Sequence, residues 1–241
     1  QPNSDPKTET LLEKARNVSF QREIWSLEFG FKPLRVIEVD GKPIWYLIYY
    51  VRNTGEVRYP VAKVASITIE TKSEPIRFIP SFVLQAHDLQ RAYRDTLRPD
   101  VVSQIALKER VTRGVLHDSS SITRIEIPVS TPNADRRVWG VATWDNVDSR
   151  ADLISVFVYG LTNAYSWEPP EGGYHANRGE QDVVRSKALQ LNFWRGGDGV
   201  DLHDNEMLYG IPLYPNDPTR QAQIFKAYRI DRAHRYRWVY R

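Results

Sequence analysis

Residues 41–55 read GKPIWYLIYYVRNTG, in which eight apolar or aromatic residues, 44–51, stand between two turn-forming triplets. β-Branched and aromatic residues bounded by Gly, Pro and Asn predict a β-strand. Its side chains are apolar in both directions of the alternation, which indicates a central strand covered on both faces. The tyrosine hydroxyls of such a strand need hydrogen-bond partners or a route to water.

The same run decides against a membrane anchor, which is one of four roles open to so apolar a segment. A transmembrane helix needs roughly 18 to 20 apolar residues, whereas residues 44–51 are flanked closely by Lys42 and Arg52. The other roles are a core strand, a ligand cleft and a seam for another protein. We favour the core strand, with its aromatic rings between two sheets.

Alternation of apolar and polar residues, or a short apolar run, recurs along the rest of the chain. These segments are 25–31, 65–70, 76–84, 124–127, 138–143, 153–161, 189–193 and 236–240. Helical spacing is confined to residues 6–17 and 99–110. Strands at this density, without alternation of strands and helices, predict a mainly β protein. We expect an immunoglobulin-like β-sandwich of about nine strands with one or two short helices.

Composition places the 241 residues among globular proteins, because 41% are hydrophobic and 26% are charged. The chain has no cysteine, which excludes disulfides, thiol catalysis and thiolate metal sites. A net charge of +3 is too small by itself to indicate nucleic-acid binding. We divide the chain into a partly helical lead (1–18), a β-sandwich domain (19–200) and a C-terminal extension (201–241) that ends in a strand packed on the sandwich.

Signatures of common catalytic sites are missing from the sequence. We find no P-loop, no dinucleotide-binding glycine motif, no H-E-x-x-H and no G-x-S-x-G. No two of the five histidines stand at metal-binding spacing, and three of them precede an aspartate: His87, His117 and His203. We interpret these as solvated loop histidines and predict a non-catalytic protein.

The loop GGDGVDLHDNE, residues 196–206, is rich in carboxylates. Its acids are Asp198, Asp201, Asp204 and Glu206. Oxygen ligands on a loop suit calcium, although the spacing and central glycine of an EF-hand are missing. These four residues are candidate calcium ligands, and no other cofactor is predicted.

The C-terminal stretch YRIDRAHRYRWVYR, residues 228–241, interleaves arginines with aromatic residues. In an extended chain, Arg235, Arg237 and Arg241 fall on one face and Tyr236, Trp238 and Tyr240 on the other. Three interpretations stay open. They are a last strand with aromatics in the core and arginines in water, a protein interface, and a polyanion-binding surface.

Two irregular segments, 164–180 and 196–216, are longer than a compact domain usually allows, and such loops are often functional. The first carries three aromatic residues that are candidates for binding: Tyr165, Trp167 and Tyr174. Exposed aromatic rings at such positions stack on sugars or anchor protein interfaces.

Several segments, read in order, carry a resemblance to a known group. They include RVIEVDGKPIWYLIYYVRNTG, RRVWGVATWDNVDSRADLISVFVYGLTNAYS, SKALQLNFWRGGD and the final RWVYR. The set resembles uncharacterised exported proteins of planctomycete-type bacteria, over residues 20–200 and the last five. The resemblance implies a secreted or periplasmic β-rich protein and brings no catalytic residues. A chain that begins with Gln1 and a polar lead is also typical of a mature protein after signal-peptide removal.

We therefore expect a non-catalytic binding or structural subunit of an extracytoplasmic or envelope-associated protein assembly. Its partners are other proteins or a second copy of the chain, and not nucleic acid. Seven tryptophans and thirteen tyrosines support an interaction role. Two alternatives stay open: a carbohydrate-binding module that uses Tyr165, Trp167 and Tyr174, and a hydrolase that uses Asp198, Asp201 and Glu206.

Overall fold

The computed structural model describes residues 23–63, 66–111, 114–168, 183–196 and 207–241. The strands in these ranges are β1 (Glu28–Phe31), β2 (Arg35–Val39), β3 (Lys42–Arg52), β4 (Val57–Lys63), β5 (Ser66–Lys72), β6 (Ile76–Arg77), β7 (Ser81–Ala86), β8 (Arg91–Arg94), β9 (Leu116–His117), β10 (Glu126–Ile127), β11 (Val138–Asp145), β12 (Leu153–Tyr159), β13 (Tyr165–Glu168), β14 (Val183–Arg195), β15 (Met207–Tyr209) and β16 (Tyr236–Tyr240). The helices are α1 (Pro99–Lys108) and α2 (Pro218–Tyr228), with a 3₁₀ turn at Ser121–Arg124.

Two larger sheets organise these strands. The first has the order β1-β3-β11-β9, with β2 also paired to β3, and the second has the order β8-β7-β12-β14. The strands β13, β15 and β16 each pair with β14, and the smaller pairs β4-β5 and β6-β10 stand apart. All pairings are antiparallel except β9 with β11. The prediction of a mainly β, sandwich-like protein with short helices is confirmed.

The described residues contain more strands than the nine expected. The additional ones are mostly two to five residues long, such as β6, β9 and β10. A pairing of two residues leaves no alternation in the sequence, because the partner strand alone determines that it is extended. The domain limits at residues 18 and 200 stay predictions. The final strand, β16, pairs with β14 along five residues.

The main core lies between the two larger sheets. From β3 it receives Trp45, Leu47, Tyr49 and Val51. From the second sheet it receives Phe82 and Leu84 of β7, Ile154 and Val156 of β12, and Leu189, Leu191 and Phe193 of β14. Burial of this apolar area supplies most of the free energy that holds the two sheets together.

The other face of β3 is covered by α1. Ile44 and Ile48 pack there against Val101 and Ile105, which are one helical turn apart. Pro99 starts the helix at its first position, where a missing N–H costs no hydrogen bond. The prediction that β3 is central and buried on both faces is confirmed, and only one of its faces lies between the sheets.

Tyrosines of β3 fold over glycines of the neighbouring strands. Gly140 lies opposite Tyr49, and a Cβ at Gly140 would stand 2.4 Å from Cζ of that ring. Gly30 lies opposite Tyr50, and a Cβ at Gly30 would stand 2.2 Å from its Cε1. Any larger residue would displace the ring, so both glycines are needed for the packing of the aromatic strand.

A buried ion cluster fixes the end of α1 to the first sheet. The Glu109 carboxylate accepts from Lys32 Nζ at 2.9 Å, from Arg35 at 2.7 Å and from the Tyr46 hydroxyl at 2.7 Å. Burial opposes the charge on Glu109, but the hydrogen bonds from Tyr46, Arg35 and Lys32 outweigh it and lower the pKa of the carboxyl group. Tyr46 thus finds the partner that its position requires. The Tyr49 hydroxyl has no hydrogen-bond partner among the described residues.

Helix α2 lies on the outer face of the second sheet and was missed by the sequence analysis. The Asp217 side chain caps it by accepting from the Arg220 N–H at 2.9 Å, and Pro218 follows at its first position. Its apolar stripe is narrow, with Ile224 and Tyr228 buried one turn apart. So few apolar residues give a weak periodic signal, although the Asp-Pro pair marks a helix start. Both α-helices in the described ranges are too short to cross a lipid bilayer.

Candidate functional site

The outer face of the second sheet carries buried polar side chains. Ser155 of β12 and Gln190 and Asn192 of β14 alternate with core residues and are almost fully buried. The Ser155 hydroxyl donates to Asn192 Oδ1 at 2.7 Å, and Gln190 Nε2 donates to the same oxygen at 2.9 Å. His87 Nε2 lies 2.8 Å from Ser155 Oγ. Because the single Ser155 proton goes to Asn192, we assign the donor of this last bond to His87 Nε2.

Two arginines of the C-terminal stretch reach over this network. Arg237 donates from Nε to Gln190 Oε1 at 2.8 Å and from a terminal nitrogen to the Arg229 carbonyl at 2.9 Å. Arg241 donates to Gln85 Oε1 at 3.2 Å. Neutral oxygens therefore fix these guanidinium groups and leave their charge uncompensated.

The two arginines line a cleft beside the C-terminal end of α2, and Arg229 completes the set. The inner part has a volume of about 220 Å³ and includes Gln85, His87 and Gln190 with all three arginines. An outer part of about 630 Å³ adjoins it and shares Gln85, His87 and Arg229. We call this whole depression the arginine cleft.

The described lining of the arginine cleft includes no Asp or Glu side chain. In the part of the chain that the structure describes, none lies within the 4.0 Å ion-pair distance of Arg229, Arg237 or Arg241. Burial lowers the pKa of Arg237, and Asp231 opposes this shift only through its longer-range charge. Arg237 is half-buried, whereas Arg229 and Arg241 are exposed. The cleft is therefore a concentration of positive charge around one half-buried guanidinium group.

The positive charge of the cleft contributes to a lowered pKa of His87. Its burial, followed by repulsion from Arg229, Arg241 and Arg237, lowers the pKa of the imidazole to about 4. The ring stacks at a tilt on Tyr228, with centroids 4.9 Å apart. His87 is thus neutral at ordinary pH. Its interpretation as a solvated loop histidine is wrong, because the chain leaves β7 directly beneath α2.

The Ser155 and His87 pair does not form a nucleophilic site. Ser155 has no exposed surface, and its hydroxyl already donates to Asn192. Attack on a substrate needs an accessible hydroxyl whose proton passes to the histidine. This arrangement instead holds His87 and Gln190 in fixed orientations, which favours binding over covalent chemistry.

The predicted alternation of the last strand is confirmed. Tyr236 and Trp238 pack against the main core, while Arg237 stands opposite Gln190 on the other face. Tyr240 is half-buried, with the Lys187 ammonium 5.6 Å from its ring centroid. Arg235 is exposed on the same face as Arg237, and Asn192 donates its backbone N–H to the Arg235 carbonyl at 2.9 Å. The aromatic residues Tyr236 and Trp238 serve the core, and Arg237 lines a cleft, while the protein-interface and polyanion interpretations stay predictions.

The aromatic residues of the first long segment lie elsewhere. Trp167 and Tyr165 of β13 are 54% and 39% exposed, and Val184, opposite Trp167, is 62% exposed. Tyr174 lies outside the described residues, as do the candidate calcium ligands Asp198, Asp201, Asp204 and Glu206. Among the residues that are described, no group of three or more His, Asp or Glu side chains could hold a metal ion.

Sequence reasoning missed most of the cleft. Arg237 and Tyr240 were candidates, and Arg241 was placed on the same face as Arg237, whereas Gln85, His87, Gln190 and Arg229 were not candidates. The sequence LQLNF, residues 189–193, contained one signal for the cleft. Its glutamine and asparagine lie in a strand long enough to be central, and buried polar side chains need hydrogen-bond partners.

Comparisons with protein families, curated proteins and solved structures found no significant match.

Proposed function

We propose that the protein is a non-catalytic binding subunit of an extracytoplasmic or envelope-associated assembly, and that it holds an anionic group in the arginine cleft. One observation carries the proposal: three guanidinium groups share a cleft in which no described carboxylate reaches them. Arg237 is half-buried, and partly buried charges in proteins are normally paired. An anion supplied by a partner would complete this site.

The hydrogen bonds of the cleft support recognition of an anion. Gln190 and the Arg229 carbonyl orient Arg237 through two of its nitrogens, so its remaining terminal nitrogen is available to a ligand. The Arg229 side chain makes no hydrogen bond within the described residues. Pre-oriented guanidinium forks bind carboxylate, sulfate and phosphate groups with little loss of side-chain entropy.

Two finer parts of the proposal are an immunoglobulin-like topology and an extracytoplasmic location. An immunoglobulin-like topology is supported by two mostly antiparallel sheets that enclose one core. A secreted or periplasmic location is supported by the resemblance to exported proteins. Both belong to the proposal and have tests of their own: a match of strand order in an experimental structure, and fractionation of native cells.

Thermal unfolding in sulfate tests the anion site. Sodium sulfate is added at constant ionic strength against sodium chloride, and we expect a saturable rise in Tm for the wild type. Arg237→Gln abolishes that rise. Arg94→Gln is the matched control, because this substitution removes the same charge. Arg94 is exposed on β8 and is not among the residues that line the cleft. Equal responses from the two variants would contradict a specific site.

Size-exclusion chromatography of native extract tests the assembly. Elution well above the 28.0 kDa mass of the chain, shifted toward that mass in Arg237→Gln, supports a partner held through the cleft. A single peak at the monomer mass for the native protein would contradict the assembly.

The exposed ribbon of β13 and β14 favours a second function, carbohydrate binding. Trp167, Tyr165 and Val184 lie on one face of this ribbon and are all exposed. Such a face suits stacking on sugar rings. Binding to a glycan array that is lost in Trp167→Ala and retained in Arg237→Gln would favour this function over the anion site.

A further inference from the structure

The two parts of the arginine cleft differ in chemistry, and this difference limits what the cleft can hold. The inner part contains the charge, with Arg237 and Arg241 over Gln190 and the Phe157 ring. The outer part is lined by amides and a single ammonium group, from Gln90, Gln223 and Lys226. Arg229 stands where the two parts meet.

We propose that the arginine cleft binds a phosphate monoester of a small polyhydroxylated molecule, with the phosphate among the three arginines and the hydroxyl groups against the glutamines. This inference rests on the proposed anion-binding function and names its ligand class. Three observations support this ligand class: the three positive charges of the inner part, the polar side chains that line the outer part, and the few apolar side chains in that outer lining.

Charge balance favours a phosphate monoester over other anions. The inner part brings three guanidinium charges together, and a carboxylate or a sulfate ester would offset only one of them. A phosphate monoester carries about −1.5 to −2 at neutral pH and presents three terminal oxygens. It therefore compensates more of the charge and reaches more than one guanidinium fork at a time.

The backbone of α2 does not oppose such an anion. The C-terminal end of a helix carries a partial negative charge through its unpaired carbonyls. Here the Arg229 carbonyl accepts from the Arg237 side chain at 2.9 Å, so this acceptor is already covered by a cation.

The outer part suits hydroxyl groups. Gln85, Gln90 and Gln223 can each donate and accept hydrogen bonds, as sugar hydroxyls do. Ala227 is the one apolar residue among the described residues of this lining, so they offer an acyl chain no wall to pack on. None of these described residues is aromatic, which disfavours a nucleoside base that needs a stacking surface.

Among the described lining residues, the aromatic ones belong to the inner part and are Phe157, Tyr228 and Tyr240. The Arg241 guanidinium lies 3.9 Å from the centroid of the Phe157 ring, and Tyr228 is buried against His87. The Lys187 ammonium lies 5.6 Å from the centroid of the Tyr240 ring. All three rings are thus in contact with side chains of the protein itself. They support the arginines and leave the ligand to polar contacts.

Isothermal titration calorimetry at pH 7.5 tests the ligand class. The titrants are glucose 6-phosphate, inorganic phosphate, glucose 6-sulfate, glucuronate, adenosine monophosphate and phosphoserine. We expect glucose 6-phosphate to bind at least about tenfold more tightly than each of the others, because it combines the dianion with several hydroxyl groups and carries no base, ammonium or carboxylate group.

Variants separate the two parts of the cleft. Arg237→Gln should weaken glucose 6-phosphate and inorganic phosphate alike by about tenfold or more. Gln223→Ala should weaken glucose 6-phosphate several-fold and leave inorganic phosphate unchanged. Gln223 is exposed on α2, so this variant is expected to fold, and Arg94→Gln serves again as the charge control.

The outcomes distinguish this inference from the function on which it rests. Equal affinity for glucose 6-sulfate or glucuronate would overturn the phosphate preference and leave the anion site standing. Tighter binding of adenosine monophosphate or phosphoserine would overturn the polyhydroxylated ligand. Absence of binding by every titrant, together with no sulfate effect on Tm, would overturn both.

Discussion

The two outer faces of the sandwich differ in how their clusters of positive side chains are compensated. Each is partly covered by a short helix and holds a cluster of cations beside a tyrosine. On the first face, Glu109 pairs with Lys32 and Arg35 and accepts from Tyr46. On the second face, Arg237 and Arg241 contact only neutral oxygens and a ring within hydrogen-bond or stacking distance among the described residues, and the Arg229 side chain makes no hydrogen bond there.

This difference separates a structural cluster from a binding site. A cation cluster closed by a carboxylate of the same chain contributes to stability, since its charges are satisfied once the chain has folded. A cluster left open carries a repulsion that only an added anion removes. The first face should therefore respond to mutation through stability, and the second mainly through ligand binding.

Glu109→Gln is expected to have the largest effect on stability. Removal of the carboxylate charge takes the shared anion away from Lys32 and Arg35 at a nearly buried site, and we expect the free energy of unfolding to fall by about 2 kcal/mol. Urea unfolding followed by tryptophan fluorescence measures this loss. Glu126→Gln is the control, because its pair with Arg77 is exposed and should contribute little. A loss of less than about 0.5 kcal/mol in Glu109→Gln would remove the contrast between the two faces.

The stability of the protein should depend on pH through His87, whose pKa is lowered in part by the three arginines of the cleft. Its pKa in the folded protein, about 4, lies below the ordinary value of 6.5, so protonation favours the unfolded chain. This stability is present above pH 6.5 and is lost as the pH falls toward 4. Between pH 6.5 and 5.5 we expect a loss of about 1 kcal/mol in the wild type and a smaller loss in His87→Gln.

The same pH dependence should be measured with and without sulfate. A bound anion compensates the arginines and raises the pKa of His87, so the loss of stability between pH 6.5 and 5.5 should shrink in saturating sulfate. Identical pH profiles for the wild type and His87→Gln, with and without sulfate, would show that His87 does not sense the arginines.

Arg237→Gln is expected to have the smallest effect on stability. The variant loses two hydrogen bonds to neutral oxygens but also relieves repulsion from Arg229 and Arg241. We expect its free energy of unfolding in chloride to stay within about 0.5 kcal/mol of the wild type. Arg35→Gln is the matched variant on the first face and should lower it by about 1 kcal/mol. Equal losses in the two variants would mean that both faces are structural.

Much of the fold could be predicted from local patterns. The double-sided apolar run of residues 44–51 predicted a central strand buried on both faces, and the structure has β3 in that position. Alternation likewise assigned the arginines and aromatic residues of β16 to opposite faces. Such predictions succeed because side-chain direction in a strand depends only on position along the chain.

The cleft could not be predicted in the same way. Arg241 meets Gln85 across 156 residues, and His87 meets Ser155 across 68. Alternation indicates that a residue faces outward, but it carries no information about which distant residue faces it. Helix α2, which closes one side of the cleft, also gave too narrow an apolar stripe for a prediction.

The sequence by itself determined the strand character of the chain, the burial of its aromatic strand and the two-faced character of its last strand, because these depend on neighbours along the backbone. Only the tertiary structure decided which cations are compensated. That outcome depends on the pairing of distant strands, which brings Glu109 to Lys32 and Arg35 and brings no described carboxylate within ion-pair distance of Arg229, Arg237 and Arg241. The Coulomb energy of a site depends on separation in space, and separation along the chain does not determine it.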